Sequence, residues 1–335
     1  MQENVLISKL TTMRLGGPAR YVQEVTEPKQ VAEAYDFARK NSLPVYVLGY
    51  GSNVIGRDEG FDGLVLVNKL KGVETVSETG DEVVIKAASG EMLDDLCGFT
   101  AERGYTGIEA MSAIPGTVGA APVQNVGAYG QEIANVLVGV SAYDTSQGRT
   151  LWIDAADCQL GYRRSIFNTT EFGRYFITAV TIKLRKGQLR PPFYISLQAF
   201  VEQNGLTDFS PMAIRQAVTA VRAGKLPDPK QIASSGSFFK NVVVDDATAA
   251  KMQREGVRTY EEGGRNTVPS GWLIEQTGLK GKEFHGMRVS DKAALILINE
   301  SAHSYADLAA ARQEISDAVY KKFGFRLEQE PVELA

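Results

Sequence analysis

Apolar positions along the 335-residue chain change period several times, and each change marks an element. From Pro28 to Asn41, Val31, Ala34, Tyr35 and Ala38 recur at helical spacing, and VYVLG at 45–49 reads as a short buried strand. Runs rich in β-branched residues predict strands at 63–68 and 82–90. Helical spacing returns over 91–104, with Leu93, Leu96, Cys97 and Ala101 on one face and Gly104 as the stop. From 105 to 133 regular periodicity disappears into a long, uncharged, glycine-punctuated segment, unusual for a surface loop. Strands are expected at 136–144 and 176–185, in one sheet, with polar GYRRSIFNTT at 161–170 between them. Helices are expected at 212–224, near 246–255 and at 304–323, and a strand at 294–299. On the last helix, Tyr305, Leu308, Ala309, Arg312, Ile315 and Val319 have the spacing of a packed face.

At about 150 residues per domain, this length suggests two domains, with a boundary near 224. A composition of 44% hydrophobic and 23% charged residues is that of an ordinary globular protein. The net charge of −4 provides no global basic field, so nucleic acid is not an expected partner. Cys97 and Cys158 are the only cysteines and read as reduced thiols, with no metal site expected. MQENVLISKL lacks a basic segment followed by a long apolar one, and no run of about 18 apolar residues occurs, which predicts a soluble, cytoplasmic protein without membrane contact.

The candidate chemistry lies in glycine-rich loops. Gly49-Tyr50-Gly51-Ser52-Asn53 follows a predicted strand, where glycines let backbone N–H groups approach a phosphate and Ser52 and Asn53 add donors. It is not the dinucleotide fingerprint, because Val54 stands in place of the last glycine, and no GxxxxGK[ST] loop exists. The second loop, Ile114-Pro115-Gly116-Thr117-Val118-Gly119-Ala120, combines small residues with fixed turns. Two such loops suit a large flat cofactor carrying a pyrophosphate.

LGGPA at 15–19, the 49–53 loop, IPGTVGA at 114–120, QNVGAYG at 124–130, GYRRSIF at 161–167, KLPDP from Lys225 and GSFFKN from Gly236 occur in that order. In this combination the chain resembles the UDP-N-acetylenolpyruvoylglucosamine reductases (MurB), over nearly its full length. The segment around 188–211 looks like the tyrosine-bearing loop of the type I subgroup. The resemblance implies an α+β fold: a two-lobed PCMH-type FAD-binding region followed by a smaller α+β substrate-binding domain. The expected divisions are 1–70 and 71–223 for the two FAD-binding lobes, 224–326 for the substrate-binding domain, and 327–335 for a C-terminal segment carrying a catalytic glutamate.

The implied reaction belongs to peptidoglycan precursor synthesis. NADPH reduces FAD, and flavin N5 passes hydride to the enolpyruvyl double bond of UDP-N-acetylglucosamine enolpyruvate, giving UDP-N-acetylmuramate. Hydride arrival at the β-carbon leaves an enolate that must be stabilised and protonated. By resemblance, Arg163 binds the carboxylate, Ser237 protonates carbon, and Glu330, within Leu327-Glu328-Gln329-Glu330, orients the enolate. Pro331 departs from the apolar residue usual after that glutamate, and Glu328 and Glu333 are the alternative registers.

For the cofactor the resemblance implies Gly49, Gly51, Ser52 and Asn53, then Ile114, Pro115, Gly116, Thr117, Gly119 and Ala120, then Gln124, Asn125, Gly127, Ala128 and Tyr129. For the substrate it implies Tyr162, Tyr194, Lys225 and Asn241, although RPPFYISLQAF around Tyr194 lacks the family's tyrosine–glycine pair. No His or Cys falls in the cofactor motifs, so the flavin is expected to be non-covalent; His285 and His303 read as structural or surface residues. Competing readings are a flavoprotein oxidase on the same scaffold and a non-catalytic nucleotide sensor, neither of which needs a serine that protonates carbon.

Overall fold

Helices form where the apolar stripes lie. In a computed structural model, which describes residues 1–257, 259–262 and 264–335, helix α1 (Lys29–Lys40) buries Val31, Ala34, Tyr35 and Ala38. These residues share a core with Val25, Leu64 and Leu66. That core is built on neighbouring strands Pro18–Val25, Phe61–Asn68 and Val45–Leu48, the last two parallel. Helix α2 (Leu93–Glu102) buries Leu93, Leu96, Cys97 and Ala101, and Thr100 besides.

The chain forms two compact units. The first comprises Met1–Gln2, Tyr21–Tyr50 and Gly63–Gly224; the second comprises Glu3–Arg20, Gly51–Asp62 and Lys225–Ala335. Residues 3–20 and 51–62, which the sequence expectation places in the first lobe, therefore cluster with the C-terminal part of the chain.

In the first unit a sheet runs Arg149–Asp154, Leu137–Asp144, Tyr175–Lys186, Glu82–Ala88, Val73–Thr79, with every neighbour antiparallel. Alternation along Leu137–Asp144 sends Val140 and Ala142 into the core that holds Leu93, Leu96 and Cys97, and Tyr143 into the core of α1. Tyr143 stacks there on Tyr35, with ring centroids 5.6 Å apart.

Segment 188–211 holds more than a loop. Helix α3 (Ile195–Gln203) buries Leu197 and Val201. The two lie one turn apart and pack with Ile214, Ala217 and Val218 of helix α4 (Pro211–Lys225). An amphipathic helix this short is stabilised by its neighbour more than by its own propensity, which hides it from a local reading.

In the second unit a sheet runs Ser234–Ser237, Ile296–Asn299, Met287–Val289, Glu283–Phe284. Phe238 and Phe239, directly after its edge strand, are fully buried and meet edge to face at 5.0 Å. Helix α5 (Asp246–Arg254) is capped by Asp245, whose Oδ1 accepts from Thr248 N at 2.7 Å. Helix α6 (Ser270–Gln276) precedes the longest helix, α7 (Tyr305–Phe323). Ser304 and Asp307 close a capping box on α7, and Gly324 stops it with φ +74°. Its buried stripe is Leu308, Ala311, Ile315 and Val319. Ala311, not Ala309, completes the face, and Tyr305 and Arg312 border it with their polar ends. The C-terminal strand Val332–Leu334 pairs in parallel with Val54–Gly56.

Candidate active site

In the first unit, Gly49 of the first glycine loop lies against the second loop. Gly49 approaches Thr117 so closely that a Cβ would stand 2.5 Å from Thr117 Oγ1. Backbone bonds hold the 114–120 loop in place: Leu93 N donates to Gly116 O (2.9 Å), Val118 N to Glu91 O (2.8 Å) and Gly119 N to Ser89 O (2.8 Å). Ile114, Pro115, Gly116 and Ala120 are half-buried, and Thr117 and Gly119 are buried.

The next block is tied to the arginine-bearing turn. Asn125 is buried with φ +47°; its Nδ2 donates to Gly161 O (3.2 Å) and its Oδ1 accepts from Ala134 N (3.1 Å). Gly127 and Ala128 form a two-residue strand against Gln131 and Glu132. The Tyr129 ring meets the Tyr194 ring edge to face at 5.8 Å, and Tyr194 stands at the N-terminus of α3, 40% exposed. Arg222, on α4, hydrogen-bonds to the Tyr129 hydroxyl and donates Nε to Ala113 O (3.3 Å). Burial pulls its guanidinium below the usual arginine range and raises the Tyr129 phenol. No motif in the sequence marks Arg222; only contact with the 113–129 segment singles it out.

Arg163 sits in the left-handed region at φ +51°, within a tight turn where Gly161 N donates to Arg164 O and Arg164 N to Gly161 O. Asn168 Nδ2 holds the Arg163 carbonyl at 3.1 Å. A non-glycine residue in that conformation is strained and persists only where its surroundings impose it. The Arg163 guanidinium lies over the Tyr162 ring at 5.3 Å and is half-buried, whereas Arg164 is exposed.

The second unit supplies the remaining candidates. Gly51 has φ +76°, and a Cβ there would stand 2.1 Å from Leu10 O, so glycine is required. Ser237 ends the edge strand, half-buried. Glu330 N donates to Phe238 O (2.9 Å), which sets Glu330 beside the residue following Ser237. Lys240 N donates to Glu328 O, and Val332 N to Asn53 O (each 2.9 Å), so both flanks of Glu330 are pinned.

The neighbouring acids have cationic partners. Glu328 pairs with Lys240. Glu333 accepts from Arg57 Nη2 (2.7 Å), Arg312 Nη1 (2.8 Å) and Tyr305 OH (2.6 Å). Burial pushes its carboxyl up, but those bonds outweigh burial and hold it at about 2. Asn241 Oδ1 accepts from Ser270 N at 3.2 Å at the start of α6, and Lys225 is exposed at the end of α4.

Comparison with known proteins adds to this geometry. Residues 19–154 match the FAD binding domain family, and residues 228–334 match the UDP-N-acetylenolpyruvoylglucosamine reductase C-terminal domain family. A UDP-N-acetylenolpyruvoylglucosamine reductase of Ralstonia nicotianae is 39% identical over 333 residues, covering 97% of each chain. The chain belongs to the UDP-N-acetylenolpyruvoylglucosamine reductase family. A second reductase, from Pseudomonas putida, is 37% identical over 334 residues and 98% of each chain. The crystal structure of the reductase from Thermus caldophilus covers 99% of this chain and 98% of its own with a TM-score of 0.68; at 23% identity it establishes the fold. As a member of the reductase family the chain is an FAD-dependent oxidoreductase of peptidoglycan precursor synthesis, with the α+β fold expected from its motifs. The donor set suits FAD: glycine at 49 keeps bare, uncharged backbone beside Thr117, where any side chain would collide. Among the described residues, no helix is long and apolar enough to cross a membrane.

Proposed function

We propose that this reductase uses NADPH to convert UDP-N-acetylglucosamine enolpyruvate to UDP-N-acetylmuramate in the cytoplasm. FAD, bound non-covalently, would supply two-electron hydride chemistry between NADPH and the enolpyruvyl double bond. Gly49, Gly51, Ser52 and Asn53 would hold it together with the 114–120 loop and the block from Gln124 to Tyr129.

Arg163 binds the substrate carboxylate through its forked donors and offsets the charge that develops there as hydride arrives. Ser237 donates its hydroxyl proton to the α-carbon and recovers one from solvent, so each turnover consumes one hydride and one proton. Glu330 orients the enolate by hydrogen bonding. Residues 224–326 form the substrate-binding part, where Lys225 and Asn241 hold the nucleotide; Tyr162 also contacts substrate, and Tyr194 covers the diphosphate and excludes water.

One observation supports this reading: the Glu330 N to Phe238 O bond sets Glu330 beside the residue that follows Ser237. The test is anaerobic. Purified protein is bleached in its visible flavin band by NADPH and then given the enolpyruvyl sugar nucleotide. Recovery of the band is expected. Bleaching without recovery would keep the flavoprotein and reject this substrate.

A further inference from the structure

We propose that the side-chain hydroxyls of Thr11 and Ser235 form a buried anchoring site for a hydrogen-bonding group of the bound FAD, an inference that rests on the FAD-binding reading. Thr11 is 6% exposed and Ser235 7% exposed. Among the described residues, Thr11 Oγ1 and Ser235 Oγ are the buried side-chain polar atoms without a hydrogen-bond partner. The large majority of buried side-chain polar atoms in native proteins have a hydrogen-bond partner, so these two point to one that the chain itself does not supply.

These two are neighbours in the fold. Thr12 Oγ1 donates to Ser234 O at 2.6 Å, and Ser234 N donates to Thr12 O at 3.1 Å, joining the two segments. The adjacent hydroxyl of Thr12 is thus satisfied by backbone while those of Thr11 and Ser235 are not. Both lie beside candidate site residues. Thr12 N donates to Gly51 O at 3.0 Å, a Cβ on Gly51 would stand 2.9 Å from Thr11 Cα, and Ser235 is two residues before Ser237. Thr11 is close in the fold to the 51–53 loop but remote in sequence, which is why no motif reveals it.

The test compares Thr11→Val and Ser235→Ala with the wild type, both as holoenzyme and after flavin removal. A ligand-facing hydroxyl is a liability in the flavin-free protein and an asset in the loaded one, so the two forms respond oppositely. Expected are a flavin-free melting temperature equal to or above wild type, a lower holoenzyme melting temperature, and a Kd for FAD raised about tenfold per hydroxyl by fluorescence titration. Thr11→Ser, which keeps the hydroxyl, should retain the wild-type Kd. An unchanged Kd in Thr11→Val and Ser235→Ala, whether or not both forms melt lower together, would overturn the proposal and assign the hydroxyls to an internal water. Failure of the wild-type protein to take up FAD would overturn the cofactor reading itself.

Discussion

Ser237 is a weak acid, so its role is separable from every step that does not protonate carbon. Ser237→Ala should leave flavin reduction by NADPH at the wild-type rate and slow flavin reoxidation by the enolpyruvyl substrate by at least about 10²-fold, the low end for losing a general acid. Stopped-flow absorbance of the two half-reactions checks this, and equal slowing of both would contradict the assignment. Gly51 makes a different demand, because its φ of +76° and the Leu10 carbonyl beside it leave no space for a Cβ. Gly51→Ala should cost at least about 1–3 kcal/mol from backbone strain, read by chemical denaturation, and the purified protein should retain less flavin. A glycine at position 51 is plain in the sequence; the carbonyl that makes it obligatory comes from a segment some forty positions earlier. Arg163 shows the same division. Its motif is legible, but its left-handed backbone is imposed by bonds from Gly161, Arg164 and Asn168.

At the scale of elements, the C-terminal strand Val332–Leu334 is short and survives because Glu333 fastens it. That carboxyl falls from an ordinary 4.5 to about 2 in the folded chain, so its contribution is complete above pH 4.5 and disappears as the pH falls towards 2. Glu333→Gln should therefore lower stability at neutral pH by on the order of 3 kcal/mol and flatten the acid limb of the stability curve between those values, measured by urea unfolding across pH. A parallel acid limb in wild type and variant would show that the loss comes from elsewhere. Helices α1, α2 and α7 were legible because each carries its stripe and stop signals within its own residues. Helix α3 was not, since Leu197 and Val201 gain their burial only against α4. Neither strand of the Val332–Leu334 and Val54–Gly56 pair was anticipated, because three residues hold too little periodicity and the partner lies far away in the chain.

For the whole molecule, the discontinuous second unit has a consequence for dissection. Its core takes Met13, Leu15 and Ile55 from the N-terminal third of the chain, and Val54–Gly56 is the partner of its last strand. Residues 225–335 expressed alone should therefore fail to fold cooperatively, seen as absent near-ultraviolet dichroism and poorly dispersed amide resonances. A well-dispersed spectrum from that fragment would mean that those apolar contacts are dispensable.

The sequence by itself determined the helical stripes, the central strands, the glycine loops, the family motifs and hence the reductase chemistry, because each is written in local period or local residue type. Tertiary structure alone decided that Gly49 would press against Thr117, that Glu330 would stand beside Phe238, the residue after Ser237, and that residues 3–20 and 51–62 would join the C-terminal part of the chain. Those are contacts between residues far apart in sequence, selected by close approach and by the pairing of buried polar groups, and local period carries no record of either.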